Sequence, residues 1–395
     1  MFPVSPVVNA FSFQTLPPLS LYVHVPWCVR KCPYCDFNSH EAADGIPEAA
    51  YVDALIADLE QELPAVWGRS VVSVFIGGGT PSLLSGEAID ALLCAVRARL
   101  KLLPGAEITL EANPGAVEQG RFREFRAAGV NRLSIGVQSF ADDMLARIGR
   151  IHGGAEAVHA AEAAHAAGFD NFNLDLMFGL PGQDVDGALA DLRQAIALAP
   201  THLSWYQLTL EPNTAFHHAP PVLPDDDLRY DMQVRGQSLL AGTGFANYEV
   251  SAYARDGFRC RHNLNYWQFG DYLGIGAGAH QKLTLPQPVR IERSAKRRHP
   301  HDYLASAGGA GRIASHVALT REDAAFEFVM NALRLNEGFA TRLFEERTGL
   351  PLKAIETPLR EAEARGLLSW DVQVVRPTAL GRLHLNTLLE LFLAE

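Results

Sequence analysis

Six short apolar runs, at residues 21–26, 71–76, 107–113, 132–139, 171–178 and 202–210, alternate with Ala- and Leu-rich stretches of helical periodicity at 51–63, 87–100, 120–128, 155–167 and 185–198. Strands joined in this way run parallel, so the chain is an α/β protein whose sheet is either open and doubly wound or closed towards a barrel. The polarity of the strands favours the barrel. A parallel strand covered on both faces reads as a nearly continuous apolar run. Here Glu107, Thr109, Glu111 and Asn113 share one face against Ile108, Leu110 and Ala112, while Arg132, Ser134, Gly136 and Gln138 oppose Leu133, Ile135 and Val137. Asn171, Asn173 and Asp175 repeat the pattern against Phe172, Leu174 and Leu176. Three polar faces on neighbouring strands are expensive to bury separately, and a shared lumen that receives a ligand accounts for them together.

Beyond residue 210 the texture changes. A Pro-rich acidic segment, 212–227, leads to a helical stretch through 240 and an extended one at 247–253. Residues 270–280 carry Gly274, Gly276 and Gly278, a GxGxG spacing without the strand-turn-helix and acidic partner of a dinucleotide site, so close backbone packing is expected. From about residue 319 short helical patterns at 327–336, 341–348, 353–363 and 378–392 are punctuated by Gly338, Gly349 and Gly366. The expected division is a tail at 1–18, the barrel at 19–255, a connecting segment at 256–315 and a small, mainly helical C-terminal domain at 316–395. A chain of 395 residues is large enough for a barrel with such an appendage.

A formal net charge of -11, with no interleaving of basic and aromatic residues, argues against nucleic acid as a partner. The one basic run, Lys296, Arg297, Arg298 and His299, reads as a solvated loop. No apolar stretch reaches the ~18 to 20 residues of a transmembrane helix, and the first residues lack the pattern of a secretory leader. A cytoplasmic protein is expected, with peripheral membrane contact left open.

Three of the five cysteines are crowded into C-x3-C-x2-C, as Cys28, Cys32 and Cys35, directly after the first strand. Thiolates so close together in one loop can wrap an iron-sulfur cluster, and three ligands leave one iron exchangeable. Two other readings fit part of the motif. Cys32-Pro33-Tyr34-Cys35 alone matches a glutaredoxin-type dithiol but leaves Cys28 unused, and a zinc site would need His24 or Asp36 as a fourth ligand. Cys94 and Cys260 read as packed apolar side chains.

With Tyr34 beside the last cysteine, this motif resembles the signature of the radical S-adenosylmethionine superfamily. The resemblance implies a partial (β/α)6 barrel, a 4Fe-4S cluster on Cys28, Cys32 and Cys35, S-adenosylmethionine on the open iron, and a reductant for the cluster. Residues at positions matching the family's ligand contacts are Tyr22, Gly78, Gly79, Thr80, Glu111, Gln138, Arg150 and Asp175. Within the superfamily, the runs around His24, Gly77 to Ser82, Gly136 to Phe140 and Gly179-Leu180-Pro181 resemble the oxygen-independent coproporphyrinogen III oxidase group, whose C-terminal domain the segment 316–395 would match. The true oxidases have a longer amino-terminal region and another cysteine two positions after the third, where this chain has Phe37. Haem chaperones of the HemW type lack that cysteine and carry an H-N-x-x-Y motif, here His262-Asn263-Leu264-Asn265-Tyr266. That resemblance implies haem as a bound group, with His262, Asn263 and Tyr266 as its site, and haem-accepting proteins as partners. Radical decarboxylation of coproporphyrinogen III is the second reading.

Overall fold

The structure is a computed structural model that describes residues 11–43 and 45–393, without the side chains of 116–119. The six expected strands form in order: β1 (Leu19–Val25), β2 (Ser70–Gly78), β3 (Lys101–Ala112), β4 (Arg132–Gln138), β5 (Phe172–Phe178) and β6 (His202–Gln207). Each pairs in parallel with the next. The intervening helices are α1 (Glu48–Val66), α2 (Gly86–Arg99), α3 (Ala116–Ala128), α4 (Gly154–Ala166) and α5 (Val185–Ala197). Ser85 and Asp184 begin α2 and α5 by accepting backbone N–H bonds from Ala88 and Gly187, the usual way to satisfy the first turn.

Alternation along the strands sorts the side chains as expected. Leu133, Ile135 and Val137 of β4 and Leu174 and Leu176 of β5 lie in one core with Leu92, Phe122, Phe125, Ala160 and Leu192 of the helices. Glu111, Ser134, Gln138 and Asp175 face a lumen instead. Truncating a core side chain such as Leu174 to Ala removes apolar burial and leaves a void, at a cost of about 2 to 5 kcal/mol.

The sheet does not stop at six strands. After helix α6 (Asp226–Gly242), β8 (Ala252–Ala254) adds antiparallel to β6 and β7 (Ala246–Asn247) antiparallel to β8. Helix α7 (Arg261–Trp267) leads into β9 (Asp271–Ile275), which pairs in parallel with the other side of β1. The antiparallel strands β10 (His280–Pro286), β11 (Val289–Lys296) and β12 (Ile313–Ala318) follow, giving twelve strands in the order β12-β11-β10-β9-β1-β2-β3-β4-β5-β6-β8-β7. Close packing of the glycine segment is what the fold shows: a Cβ on Gly274 would lie 2.0 Å from the His280 carbonyl oxygen.

An ion network seals the added strands against α1. Lys296 at the end of β11 and Arg312 just before β12 both meet Asp58 and Glu62 of α1, with Lys296 Nζ 3.0 Å and Arg312 Nε 2.8 Å from Asp58 Oδ1. Tyr303 donates to Asp58 Oδ2 at 2.8 Å and Gln281 to Glu62 Oε2 at 3.1 Å. The basic run read as a solvated loop is therefore split: Lys296 is fully buried, while Arg297, Arg298 and His299 are exposed.

The C-terminal residues build a second core around Phe328, on helix α8 (Arg321–Ala332), whose ring meets Phe339 at 4.9 Å and Phe344 at 5.2 Å. Phe269, which precedes β9, enters this core from the barrel side, 6.0 Å from Phe328. Helices dominate, but three short strands, Phe339–Ala340, Leu368–Trp370 and Val374–Pro377, form a small antiparallel sheet between them. The helical stretch expected at 378–392 is broken into Ala379–Leu383 and Leu385–Glu390.

Candidate functional site

The loop after β1 is fastened by its own backbone. Trp27–Cys28 pairs in parallel with His40–Glu41, and His40 N donates to Pro26 O at 2.7 Å and Ala42 N to Cys28 O at 2.9 Å. Within it, Cys35 N donates to Cys32 O at 3.1 Å. The end of β2 grips the same loop: Gly79 N donates to Val25 O and Thr80 N to Trp27 O, both at 2.7 Å. Glycine is required at this contact. A Cβ at Gly79 would lie 2.5 Å from the Trp27 carbonyl oxygen, and Gly78, at φ +118°, lies against the ring of His24.

Cys28, Cys32 and Cys35 are all partly exposed and border one cavity of about 440 Å³. The other walls are Gly78, Gly79, Thr80, Glu111, Gln138, Arg150 and Asp175, so seven of the residues singled out for S-adenosylmethionine come together from β2, β3, β4, β5 and the turn before α4. Hydrogen-bond donors reach the sulfurs: Thr80 Oγ1 is 3.4 Å from Cys28 Sγ and Arg150 Nη1 3.7 Å from Cys32 Sγ. Asn113 joins the two donors, giving its amide to Thr80 Oγ1 at 2.8 Å and accepting from Arg150 Nη2 at 2.7 Å. Three open thiols around a common space, each within reach of a donor or a backbone turn, suit a thiolate-held cluster.

The competing readings of the motif fare differently. His24 is not free to ligate zinc: its Nε2 lies 2.9 Å from the Asn38 carbonyl and so carries the proton, leaving Nδ1 to accept from the Tyr22 hydroxyl at 2.8 Å. Burial lowers this histidine to about 4 and keeps it neutral. Among the described residues no three His, Cys, Asp or Glu side chains are gathered around a single-ion site. A dithiol needs a lowered thiol pKa at a helix start, whereas burial pushes Cys35 upward and the next helix begins at Glu48.

The cavity acids are tuned by their surroundings. Burial, then the neighbouring Asp175, pushes Glu111 up to about 8, even though Oε2 accepts from Gly78 N at 3.0 Å. Asp175 is also raised by burial, with Asn173 Nδ2 donating to Oδ1 at 2.8 Å and Ser134 Oγ to Oδ2 at 3.1 Å. Asn173 in turn accepts from His202 Nδ1 at 2.7 Å. Gln138 takes the left-handed conformation, φ 70°, and accepts from Tyr206 at 2.8 Å. Tyr22 is not a wall of the cavity; it stands behind it, next to Phe75 and His262.

The H-N-x-x-Y motif occupies α7, beneath the lumen rather than in the cavity wall. His262 and Asn265 are buried, while Asn263 and Tyr266 are half-buried. His262 packs on Phe75, ring centres 4.9 Å apart, and its Nδ1 is 3.1 Å from Ser73 Oγ. Burial, then the charge of Arg132, lowers its pKa to about 3, so the imidazole is neutral. Glu107 of β3 caps this helix, Oε2 accepting from Arg261 N and Oε1 from His262 N, both at 3.1 Å, and Oε1 also from Cys260 Sγ at 3.4 Å. Cys260 is thus buried as expected but used as a donor, with its thiol pushed up to about 12 by burial; Cys94, read as packed, is exposed on α2.

Residues 22–195 match the family model of the radical SAM superfamily, and residues 319–384 match that of the HemN C-terminal domain. The protein named heme chaperone HemW from Escherichia coli (strain K12) is 54% identical over 381 residues, covering 96% of this chain and 99% of that one. This chain belongs to the HemW family. The family member from Haemophilus influenzae is 49% identical, and that from Mycobacterium tuberculosis (strain ATCC 25618 / H37Rv) 36%, over 96% and 93% of this chain. Among solved structures, coproporphyrinogen III oxidase (HemN) from Escherichia coli superposes with a TM-score of 0.80 over 98% of this chain and 95% of that one, at 23% identity, which shows the shared fold. Membership of the radical SAM superfamily implies a 4Fe-4S cluster and S-adenosylmethionine as the HemW family's cofactors.

Proposed function

We propose that this HemW family member is a haem chaperone, which binds haem together with a cluster and S-adenosylmethionine and passes haem to acceptor proteins. The observation that carries the reading is the 54% identity, along nearly the whole chain, to a protein named for that role. Phe37, at the position where the oxidases have a further cysteine, agrees with it.

In this reading Cys28, Cys32 and Cys35 are the three protein ligands of the 4Fe-4S cluster. When bound, the cluster and S-adenosylmethionine supply a one-electron donor beside a cleavable sulfonium. Gly78 and Gly79 let the backbone approach that ligand, and Arg150 supplies positive charge next to Cys32. Glu111, which keeps its proton near neutral pH, can donate as well as accept at a ligand hydroxyl. Asp175 and Gln138, each held by fixed neighbours, present oriented acceptors. Tyr22 works through His24, which braces Asn38 and Gly78.

His262 is the proposed haem-iron ligand, since a neutral imidazole is the ligating form, with Asn263 and Tyr266 on the same helix completing the site. Because the ring lies against Phe75, α7 must move for iron to reach it, and the Glu107 cap holds α7 down together with Asn265, which donates to Ser20 Oγ at 2.9 Å and Asp271 O at 3.0 Å. A cytoplasmic location and an external one-electron reductant belong to the same reading. Among the described residues no helix is long and apolar enough to cross a membrane.

Haem titration of anaerobically purified, cluster-loaded protein, with and without S-adenosylmethionine, tests the proposal. Saturable haem uptake that His262→Ala abolishes is the expected result. Conversion of coproporphyrinogen III in the presence of S-adenosylmethionine and reductant would overturn it.

A further inference from the structure

Arg132 stands on the lumen face of β4 at 2% exposure, yet among the described residues it forms no hydrogen bond and no ion pair, and its Nε is sealed from solvent without a partner. Thr109, its register partner on β3, has a buried hydroxyl in the same condition. The acids around it are committed elsewhere. Glu107 accepts from Arg261 N, His262 N and Cys260 Sγ; Glu111 accepts from Gly78 N; Asp175 accepts from Asn173 and Ser134. A guanidinium cannot shed its proton; the charges of Glu107 and Asp175 favour this one through space, yet among the described residues none of its N–H groups meets an acceptor at hydrogen-bonding distance, and that is a standing cost to the fold. Such a cost marks a place where a ligand completes the hydrogen bonding.

Neither Arg132 nor Thr109 lines the cavity; both lie beneath it, on the side of Cys260, Glu107 and Tyr248. Ser134 lines the cavity wall, and Arg132 lies two residues before it on the same face, roughly 7 Å deeper along the strand. A long side chain spans much of that step. A planar fork of N–H donors beside a hydroxyl matches a carboxylate, which can accept from both at once. Two carboxylate sources belong to the proposed function: the propionates of haem and the methionine carboxylate of S-adenosylmethionine.

We infer that Arg132 and Thr109 form a carboxylate receptor beneath the floor of the cavity, filled by a propionate of the haem cargo. The inference rests on the haem-chaperone reading. Binding there gives the guanidinium and the hydroxyl the acceptor that they lack, so the esterified ligand is discriminated against.

The test is a titration of cluster-loaded full-length protein with haem and with haem dimethyl ester, for the unaltered chain, Arg132→Gln and Thr109→Val, with S-adenosylmethionine affinity and thermal stability measured in parallel. The unaltered protein is expected to prefer haem over its ester by roughly 10- to 100-fold, the range of a charged hydrogen bond. Arg132→Gln removes that preference, and Thr109→Val reduces it by a smaller factor. Because Arg132 has no hydrogen bond to lose, Arg132→Gln leaves the chain folded, as the thermal melt checks. An unchanged preference in Arg132→Gln, or a loss confined to S-adenosylmethionine affinity, overturns the inference while leaving haem binding intact. If the unaltered protein takes up neither porphyrin, the haem reading itself fails and this inference falls with it.

Discussion

Glu111 shows how one side chain links position to chemistry. Its folded pKa of about 8 stands above the ordinary 4.5, so the folded protein keeps a proton that the unfolded chain has already released. The resulting stability is full below about pH 4.5 and is lost as pH rises through about 8. Melting temperatures of cluster-loaded protein without S-adenosylmethionine, taken from about pH 5 to about pH 8, should fall less steeply for Glu111→Gln than for the unaltered chain. Equal slopes would show that the burial of Glu111 does not hold its proton. At Gly79 the constraint is steric, since a methyl group would meet backbone that no rotamer change can move. Gly79→Ala should cost about 1 to 3 kcal/mol and displace the cysteine loop, read as lowered iron and sulfide per chain after reconstitution. The alternation of the strands made Glu111, Gln138 and Asp175 visible in the sequence. Asn113, Tyr206 and Glu107 were visible only as lumen-facing or aromatic residues, because their roles depend on partners 33 to 155 residues away.

Among the elements, α7 is the one whose sequence and setting diverge most. Its H-N-x-x-Y motif suggests an accessible ligand set, and the fold instead turns His262 inward and closes the helix start with a carboxylate from β3. Glu107→Gln weakens two backbone caps and should lower stability by about 1 to 2 kcal/mol. Amide exchange along α7 should accelerate more than in α2 or α5, and haem association should become faster if release of this helix limits it. The strands β9 to β12 were missed for a physical reason. Gly274, Gly276 and Gly278 dilute the β-branched pattern of β9, and the hairpin that follows carries Lys282, Arg293 and Lys296 at positions a sequence pattern assigns to solvent. Buried acids supply their partners: Asp271 meets Lys282 at 2.9 Å and Asp58 meets Lys296 at 3.0 Å.

For the molecule as a whole, Phe269, just before β9, and Ile291 of β11 enter the C-terminal core from the extended sheet. The Phe269 ring is almost fully buried between Phe328 and the Lys282 ammonium, 4.0 Å from the ring centre. Phe269→Ala should cost about 3 to 5 kcal/mol in the C-terminal core and split one calorimetric unfolding transition into two, the C-terminal part melting first. A single unbroken transition would show that other contacts couple the two cores. The C-terminal helices were legible from their glycine punctuation, except that the first, expected at 327–336, runs over Arg321–Ala332 from its Thr320 cap; the small sheet between them was not, since strands of two to four residues are too short to establish a period.

The ion network between α1 and the added strands carries a consequence for any attempt to work with less than the full chain. A fragment ending at residue 255 would contain every βα unit and all three clustered cysteines, yet it would strip β9 from the edge of β1 and remove Lys296, Arg312 and Tyr303 from over Asp58 and Glu62. The smallest autonomous piece of this protein therefore extends at least through Ala318, and shorter expression products should be recovered as aggregates.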